Sequence, residues 1–441
     1  MLTPPFEIIS CSWPRPVRET NGRWSSDPEW DAPPMPYRPQ PYWTMIGDEV
    51  CLMINWRRFF RCGLKVGYPD LSGDMRGFHI VSKLLVTADG PLIFWDDDGS
   101  IIRRNGEVIH SDRNAHHLQR HEIQLSAGDV LEVAQWQFDG DWLWGAYSGS
   151  QAVANNPTEL ALTYRSQVQQ RMADPSGPPL KFYTHGRSPL RAVVSIYSLI
   201  LHGYVPSQIL LFGEDQWSED ARELFRTALP FAEVVSKNDV LNRIQAEGNS
   251  VLSEYARHYW WVMKACIALF YPPAEFCLID DDVFVLDSVA DALQAFSNHE
   301  LVYIPDMDHG NEYRALWTGA QGGNTRLSTG CFNAGLYWMR GFGDLREVAA
   351  RAIRIHPSQS NAWNWEQGLI ACLYADRRTF QLPANRYLYP LFDGLPGGML
   401  GYDYARNPCG FASVHFGGLK EKPSDRAMHY LAPEILGRKH E

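Results

Sequence analysis

The sequence predicts an α/β domain with a mostly parallel sheet, preceded by a small all-β, sandwich-like domain. Three observations carry that expectation. Strand-like and helix-like runs alternate from residue 179 through "EFCLID" at about residue 280. Residues 42–150 show no long helical periodicity, only short apolar runs parted by hairpin dipeptides. Between them, residues 151–178 end in the Pro/Gly stretch "ADPSGPP", which marks a linker. The 441 residues and 45% hydrophobic content allow two or three domains with a sizeable core.

The elements follow in order. Residues 1–41 are dense in proline ("SWPRPVRE", "DAPPMPYRPQP") and predict an extended arm, because proline removes donors from helices and ladders. In residues 42–150, runs such as "HIVSKLLVTA", "PLIFW" and "DVLEVAQWQF" are separated by Asp98-Gly99, Asn105-Gly106 and Asp139-Gly140, the dipeptides of two-residue hairpins. Within this part the triplet Asp96–Asp98 runs into Gly99, which predicts solvated carboxylates at a hairpin tip. The linker then holds about two helical turns. Beyond it, "LKFYTH" predicts a first strand. In "RSPLRAVVSIYSLILHGY" a helix is expected, with Ser188 as N-cap, Pro189 at N1 and Gly203 at its end. "SQILLFGED", "FAEVVS" and "EFCLID" predict three further strands, with helices over "SEDARELFRTAL" and "SEYARHYWWVMKACIALFY" between them. Ligands on such sheets bind beyond the carboxyl ends of the strands.

A second triplet, Asp280-Asp281-Asp282, stands at such an end, inside "FCLIDDDVFVLD". No Gly or Pro intervenes, so a surface hairpin is excluded. In extended chain Asp280 and Asp282 project to one side. Two carboxylates held together repel unless a proton or cation separates them, and a hard divalent ion bridging to phosphate oxygens suits them. The alternative is a pair of Asp residues capping the following turn.

Here the residues resemble a known family. "CLIDDDVFVLD" is similar to the D-x-D segment of nucleotide-sugar glycosyltransferases of the GT-A fold. Three later stretches fit in the same order: "STGCFNAGLYWMR", "NWEQGLIACLYAD" and "VHFGGLKEKP" resemble the F-N-[SA]-G, D-Q and H-F-x-G-x-x-K-P segments of the glycogenin-like and lipopolysaccharide-galactosyltransferase-like family, family 8. The resemblance covers about residues 180–423. It implies a GT-A domain over 179–441 that moves a sugar, with retention, from a nucleoside-diphosphate sugar (a UDP-sugar favoured) to a glycan, protein or small-molecule acceptor. Mn²⁺ or Mg²⁺ is the implied metal, with Asp280, Asp282 and His415 as its ligands. Asn333, Glu366 and Gln367 fall at the catalytic positions, with Glu366 replacing the usual Asp. Donor contacts fall on Phe182, Tyr183 and Thr184 of the first strand, on Arg257 and Lys264 of the helix before the D-x-D strand, on Asp281, and on Gly417, Gly418 and Lys420. The extra "EK" before Pro423 leaves Lys420 and Lys422 both open as the lysine facing the diphosphate. "DMDHGNEYRALWTGAQGGNTR" is expected to form an acceptor loop with Gly-Gly hinges. Two other readings remain: a sugar nucleotidyltransferase, and a non-catalytic sugar-binding or scaffolding protein with a degenerate transferase domain.

Composition excludes other classes. The net charge of -11 argues against a nucleic-acid partner. Eight scattered cysteines without a C-x-x-C pair give neither a zinc knuckle nor a disulfide framework. The N-terminus lacks a basic n-region, and no window approaches the ~18 apolar residues of a transmembrane segment, so a soluble cytoplasmic protein is expected.

Overall fold

The computed structural model describes residues 6–11, 15–20, 23–26, 42–46, 49–53, 75–96, 99–112, 119–137, 146–149, 156–306, 308–313, 327–341, 348, 352–353, 362–389, 410–417 and 422–437. The chain divides into two compact units, one of residues 1–153 and 395–403 and the other of residues 154–394 and 404–441. Among the described residues no helix is long and apolar enough to cross a membrane.

The described elements of the first unit are strands in two antiparallel sheets. One contains Met75–Val86, Val130–Gln137, Ser100–Arg104 and Glu107–Asp112, and the other Gly90–Asp96, Gln119–Leu125 and Ala146–Gly149. Asn105-Gly106 makes the expected two-residue turn: both have positive φ, 52° and 91°, the values a type I′ hairpin requires. The Asn105 side chain also donates to Asp129 and accepts from Val130 N, pinning a second loop. Asp97 and Asp98 lie outside the described residues. The proline-rich arm differs from expectation, since Phe6–Cys11, Arg15–Thr20 and Arg23–Ser26 are strands of the first sheet. Pro5 and Pro14 directly precede strands in the sequence, and Pro16 sits beside a register shift at Val17/Arg18, where a missing donor is tolerated.

The second unit begins earlier than the linker reading allowed. Its first helix, α1 (Pro157–Met172), has 16 residues and is capped by the Asn156 side chain accepting from Thr158 N. Only Ala161 and Val168 of α1 are fully buried, so its apolar stripe is too thin to read as a full helix. Numbering within this unit, the strands are β1 (Leu180–Tyr183), β2 (Ile209–Phe212), β3 (Glu233–Val235), β4 (Glu275–Ile279), β5 (Val283–Val285), β6 (Leu301–Pro305), β7 (Phe332–Arg340), β8 (Thr379–Gln381), β9 (Tyr387–Leu388) and β10 (Ser413–His415). The main sheet runs β3-β2-β1-β4-β7-β6-β8, with β3, β2, β1 and β4 mutually parallel and β7 antiparallel to both neighbours. A second sheet, β5-β10-β9, stands beyond the end of β4.

Helices α2 (Pro189–Leu201), α3 (Glu219–Ala228), α4 (Lys237–Ala246), α5 (Ser250–His258) and α6 (Trp260–Phe270) fill the crossovers, and α7 (Ala290–Asn298) precedes β6. Pro189 starts α2 as expected, but the Ser188 side chain makes no capping bond. The helix expected over Ser253–Tyr271 is two helices, because Tyr259 is extended (φ -121°, ψ 113°). No Gly or Pro stands at the break, so the sequence gave no hint of it.

Lys181 on β1 is wholly buried. Its Nζ donates to Ile267 O (3.0 Å) and Tyr271 O (2.5 Å) and lies 3.8 Å from the Phe276 ring centroid. It thereby caps the carbonyl end of α6, where a cation meets the negative end of the helix dipole. Burial pushes its ammonium well below the ordinary lysine range. The unfolded chain therefore binds the extra proton between the two values, and this lysine's contribution to stability grows as pH rises toward 10.5. Urea unfolding over a pH series should show the wild-type advantage over Lys181→Met widening at alkaline pH. A gap independent of pH would contradict this account.

Candidate metal and donor site

The site is built by one turn between the two sheets. Asp280 N donates to Gly335 O on β7 (2.8 Å), and Val283 N to Asp280 O (3.2 Å), so the chain leaves β4 and turns into β5. There Val283 pairs with His415 across the β5–β10 ladder, and Phe416 N donates to Asp282 O at 2.9 Å. This pairing brings residues 133 positions apart in the chain to one centre. Ligand atoms of Asp280, Asp282 and His415 all lie within 4.8 Å of one another.

The imidazole is held closely. A Cβ added to Gly335 or to Gly417 would come within 2.4 Å of it, so both glycines are there to admit the ring. Tyr389 stacks on it at 5.2 Å between centroids. His415 Nε2 lies 3.3 Å from Asp282 Oδ1, while Nδ1 is buried with no hydrogen-bond partner among the described residues. Two carboxylates and an imidazole with a spare nitrogen are a donor set that fits Mn²⁺ or Mg²⁺.

Charge is distributed unevenly across the triplet. Burial raises the Asp280 carboxyl, partly offset by Lys264. Burial also opposes ionisation of Asp282, but His415 and the Lys422 ammonium outweigh it and hold that carboxyl below its usual range. Lys422 Nζ lies 2.6 Å from Asp282 Oδ2. Asp281, expected among the donor contacts, is instead bonded to Arg191 Nη2 (3.0 Å) and to Thr184 Oγ1 (3.3 Å).

Lys264 is buried at the centre. Its Nζ reaches Asp280 Oδ1 (2.7 Å), Glu366 Oε1 (3.3 Å) and Ala334 O (3.3 Å). Burial disfavours its charge, yet Asp280 and Glu366 more than compensate and raise its affinity for the proton. Burial lifts the Glu366 carboxyl to about 7. Beside it, Gln367 Oε1 accepts from Ala334 N (2.9 Å), while Asn333 donates to the buried Asp306 (2.9 Å) and accepts from Gly335 N (2.7 Å). Glu366 and Gln367 stand on α8 (Ala362–Tyr374), so this helix and β7 support one face of the centre.

The remaining candidates separate. Phe182 is wholly buried core, because β1 lies inside a sheet covered on both faces and all four of its residues are buried. Tyr183 and Arg257 line a cavity of ≈ 220 Å³ at the ends of β1, β2 and β3, with His185, Asp215, Gln216 and Trp260 among its other walls. Gln216 Nε2 donates to Tyr183 Oη there (3.1 Å). Gly417 faces the imidazole, and Gly418, Lys420 and most of the expected acceptor loop lie outside the described residues. Sequence reasoning passed over Arg191, Tyr389 and the polar walls of the cavity. Arg191 had one usable sign, its place in the first turn of the helix after β1, at the ligand end of the sheet.

No family model matches the chain, and no curated protein matches it. The similar solved structures include glycosyltransferases. WbbM, a bifunctional glycosyltransferase in its apo form, is 15% identical over 75% of this chain and 56% of that one, with a TM-score of 0.37. The galactosyltransferase LgtC, in complex with donor and acceptor sugar analogues, is 14% identical over 60% of this chain and 98% of its own, with a TM-score of 0.35. Mouse xyloside xylosyltransferase 1, also apo, is 11% identical over 56% and 99%, with a TM-score of 0.36. This chain thus spans little more than half the WbbM structure.

Proposed function

We propose that the second unit is a metal-dependent glycosyltransferase of the GT-A fold, similar to family 8, and that the first is an all-β accessory domain. The carrying observation is the convergence of Asp280, Asp282 and His415 within 4.8 Å, with an unpartnered imidazole nitrogen and Lys422 alongside. The donor is a nucleoside-diphosphate sugar, a UDP-sugar by the resemblance, with Mn²⁺ or Mg²⁺. Its nucleoside enters the cavity walled by Tyr183 and Arg257, and its diphosphate meets the D-x-D turn.

A divalent cation bound by the three ligands would supply Lewis-acid stabilisation of charge on the leaving diphosphate. The chain's own residues do the rest. Lys422 is 40% exposed at its side chain and is therefore free to turn from Asp282 to a phosphate oxygen. Lys264 fixes Asp280 and Glu366 against each other. Asn333 and Gln367 are held by backbone N–H groups of β7, which sets where their remaining amide groups point.

Glu366 is buried and engaged by Lys264, which does not suit a nucleophile that must approach an anomeric carbon. That supports retention by front-face attack. The acceptor oxygen bonds to the anomeric carbon as the carbon–phosphate oxygen bond breaks, and the leaving phosphate oxygen takes the acceptor's proton. Calorimetric titration of UDP tests the reading, with strong binding expected only when Mn²⁺ or Mg²⁺ is present. Equal binding in EDTA would remove the metal, and no binding of UDP or UDP-sugars would favour the non-catalytic alternative.

A further inference from the structure

Arg191 joins three segments distant in sequence. Its Nη2 donates to Asp281 Oδ1 (3.0 Å) and its Nη1 to Pro423 O (3.0 Å), while its backbone N donates to Asp425 Oδ1 (3.1 Å). Its side chain is 12% exposed and that of Asp281 22%. Asp281 is held from its other oxygen by Thr184 Oγ1. Asp425 opens α9 (Asp425–Leu436), where Ser424 is the N-cap. Pro423 directly follows Lys422, whose Nζ sits on Asp282. One planar fork thus ties the middle carboxylate of the triplet to the backbone beside the lysine that faces the outer carboxylate.

We propose that Arg191 is a positioning residue that holds Lys422 at the diphosphate end of the donor site by bracing Pro423 against Asp281. The inference rests on the transferase reading and deepens it: the middle aspartate of the triplet serves the lysine, not the ligand. Without the brace, Lys422 keeps its charge but loses its fixed starting point, so the loss falls on the terminal phosphate of the diphosphate. Lysine cannot replace Arg191, because a single ammonium does not span the Asp281 carboxylate and the Pro423 carbonyl with the geometry of a guanidinium.

The test measures UDP and UMP binding by calorimetry with Mn²⁺, on wild type, Arg191→Lys, Arg191→Met, Lys422→Met and the double variant Arg191→Met/Lys422→Met. Both Arg191 variants should weaken UDP about tenfold, the scale of one charge-assisted hydrogen bond, and leave UMP nearly unchanged. The double variant should be no weaker than Lys422→Met alone. Equal losses for UDP and UMP would reduce Arg191 to a general structural role and overturn the proposal. Unchanged UDP affinity would do the same, as would additive losses in the double variant. A wild-type protein that binds neither nucleotide would instead bring down the transferase reading beneath it.

Discussion

Asp282→Ala and His415→Ala should each abolish Mn²⁺-dependent UDP binding while the second unit stays folded. Three protein ligands hold the proposed ion, and removing one should cost more than the ~10–100-fold lost when a mere outer partner of a ligand is removed. Folding should survive because the imidazole and carboxylate chiefly satisfy each other and Lys422, while β5 and β10 are tied by backbone pairing. Gly417→Ala offers a sharper version. Its Cβ would fall 2.4 Å from His415 Nε2, so the ring must shift although all three ligands remain. Metal-dependent affinity should therefore drop in that variant too. Calorimetry with UDP, with and without Mn²⁺, reads all three. Unchanged metal-dependent affinity in the Asp282 and His415 variants would end the metal assignment, whatever the fate of the sugar reading.

The parts of this site that could be read in the sequence are those set by local pattern. β1 to β4 formed where "LKFYTH", "SQILLFGED", "FAEVVS" and "EFCLID" stood, because short apolar runs between capped helices have few other solutions. The D-x-D turn followed from its place after a buried strand. His415 was within reach only through the resemblance, since nothing local says that "SVH" pairs with "VFV" across 130 residues. Arg191 was out of reach for the same reason: its partners lie 90 and 232 positions away. Lys422 meets Asp282, while Lys420 lies outside the described residues, and counting along the segment had left both lysines open. Glu366, singled out through the resemblance, had its surroundings hidden, since its helix position resembles an ordinary exposed acid near a helix start and only packing against α6 buries it.

That burial makes Lys264→Met the variant with the largest expected effect on stability. It would leave Asp280 and Glu366 close together with no cation between them, and stranding a buried charge in this way costs about 3–5 kcal/mol. The cost should depend on pH. Folded Glu366 holds its proton up to about 7, against an ordinary 4.5 in the unfolded chain. Between those values the folded chain binds the extra proton, so metal-free stability falls as pH rises across the window. Lys264 works against that trend by favouring the carboxylate. Without it, folded Glu366 keeps its proton to a higher pH, and the penalty extends further into the alkaline range. Urea unfolding in EDTA should therefore show Lys264→Met more damaged at about pH 8.5 than at about pH 5.5. Adding Glu366→Gln should restore much of the loss and flatten the pH dependence, because one of the two stranded charges is gone. Alone, Glu366→Gln should reduce turnover less than Lys264→Met, since it leaves Lys264 in place on Asp280. An equal loss at both pH values, or a double variant no better than Lys264→Met, would mean that the buried lysine holds the two carboxylates together only by packing.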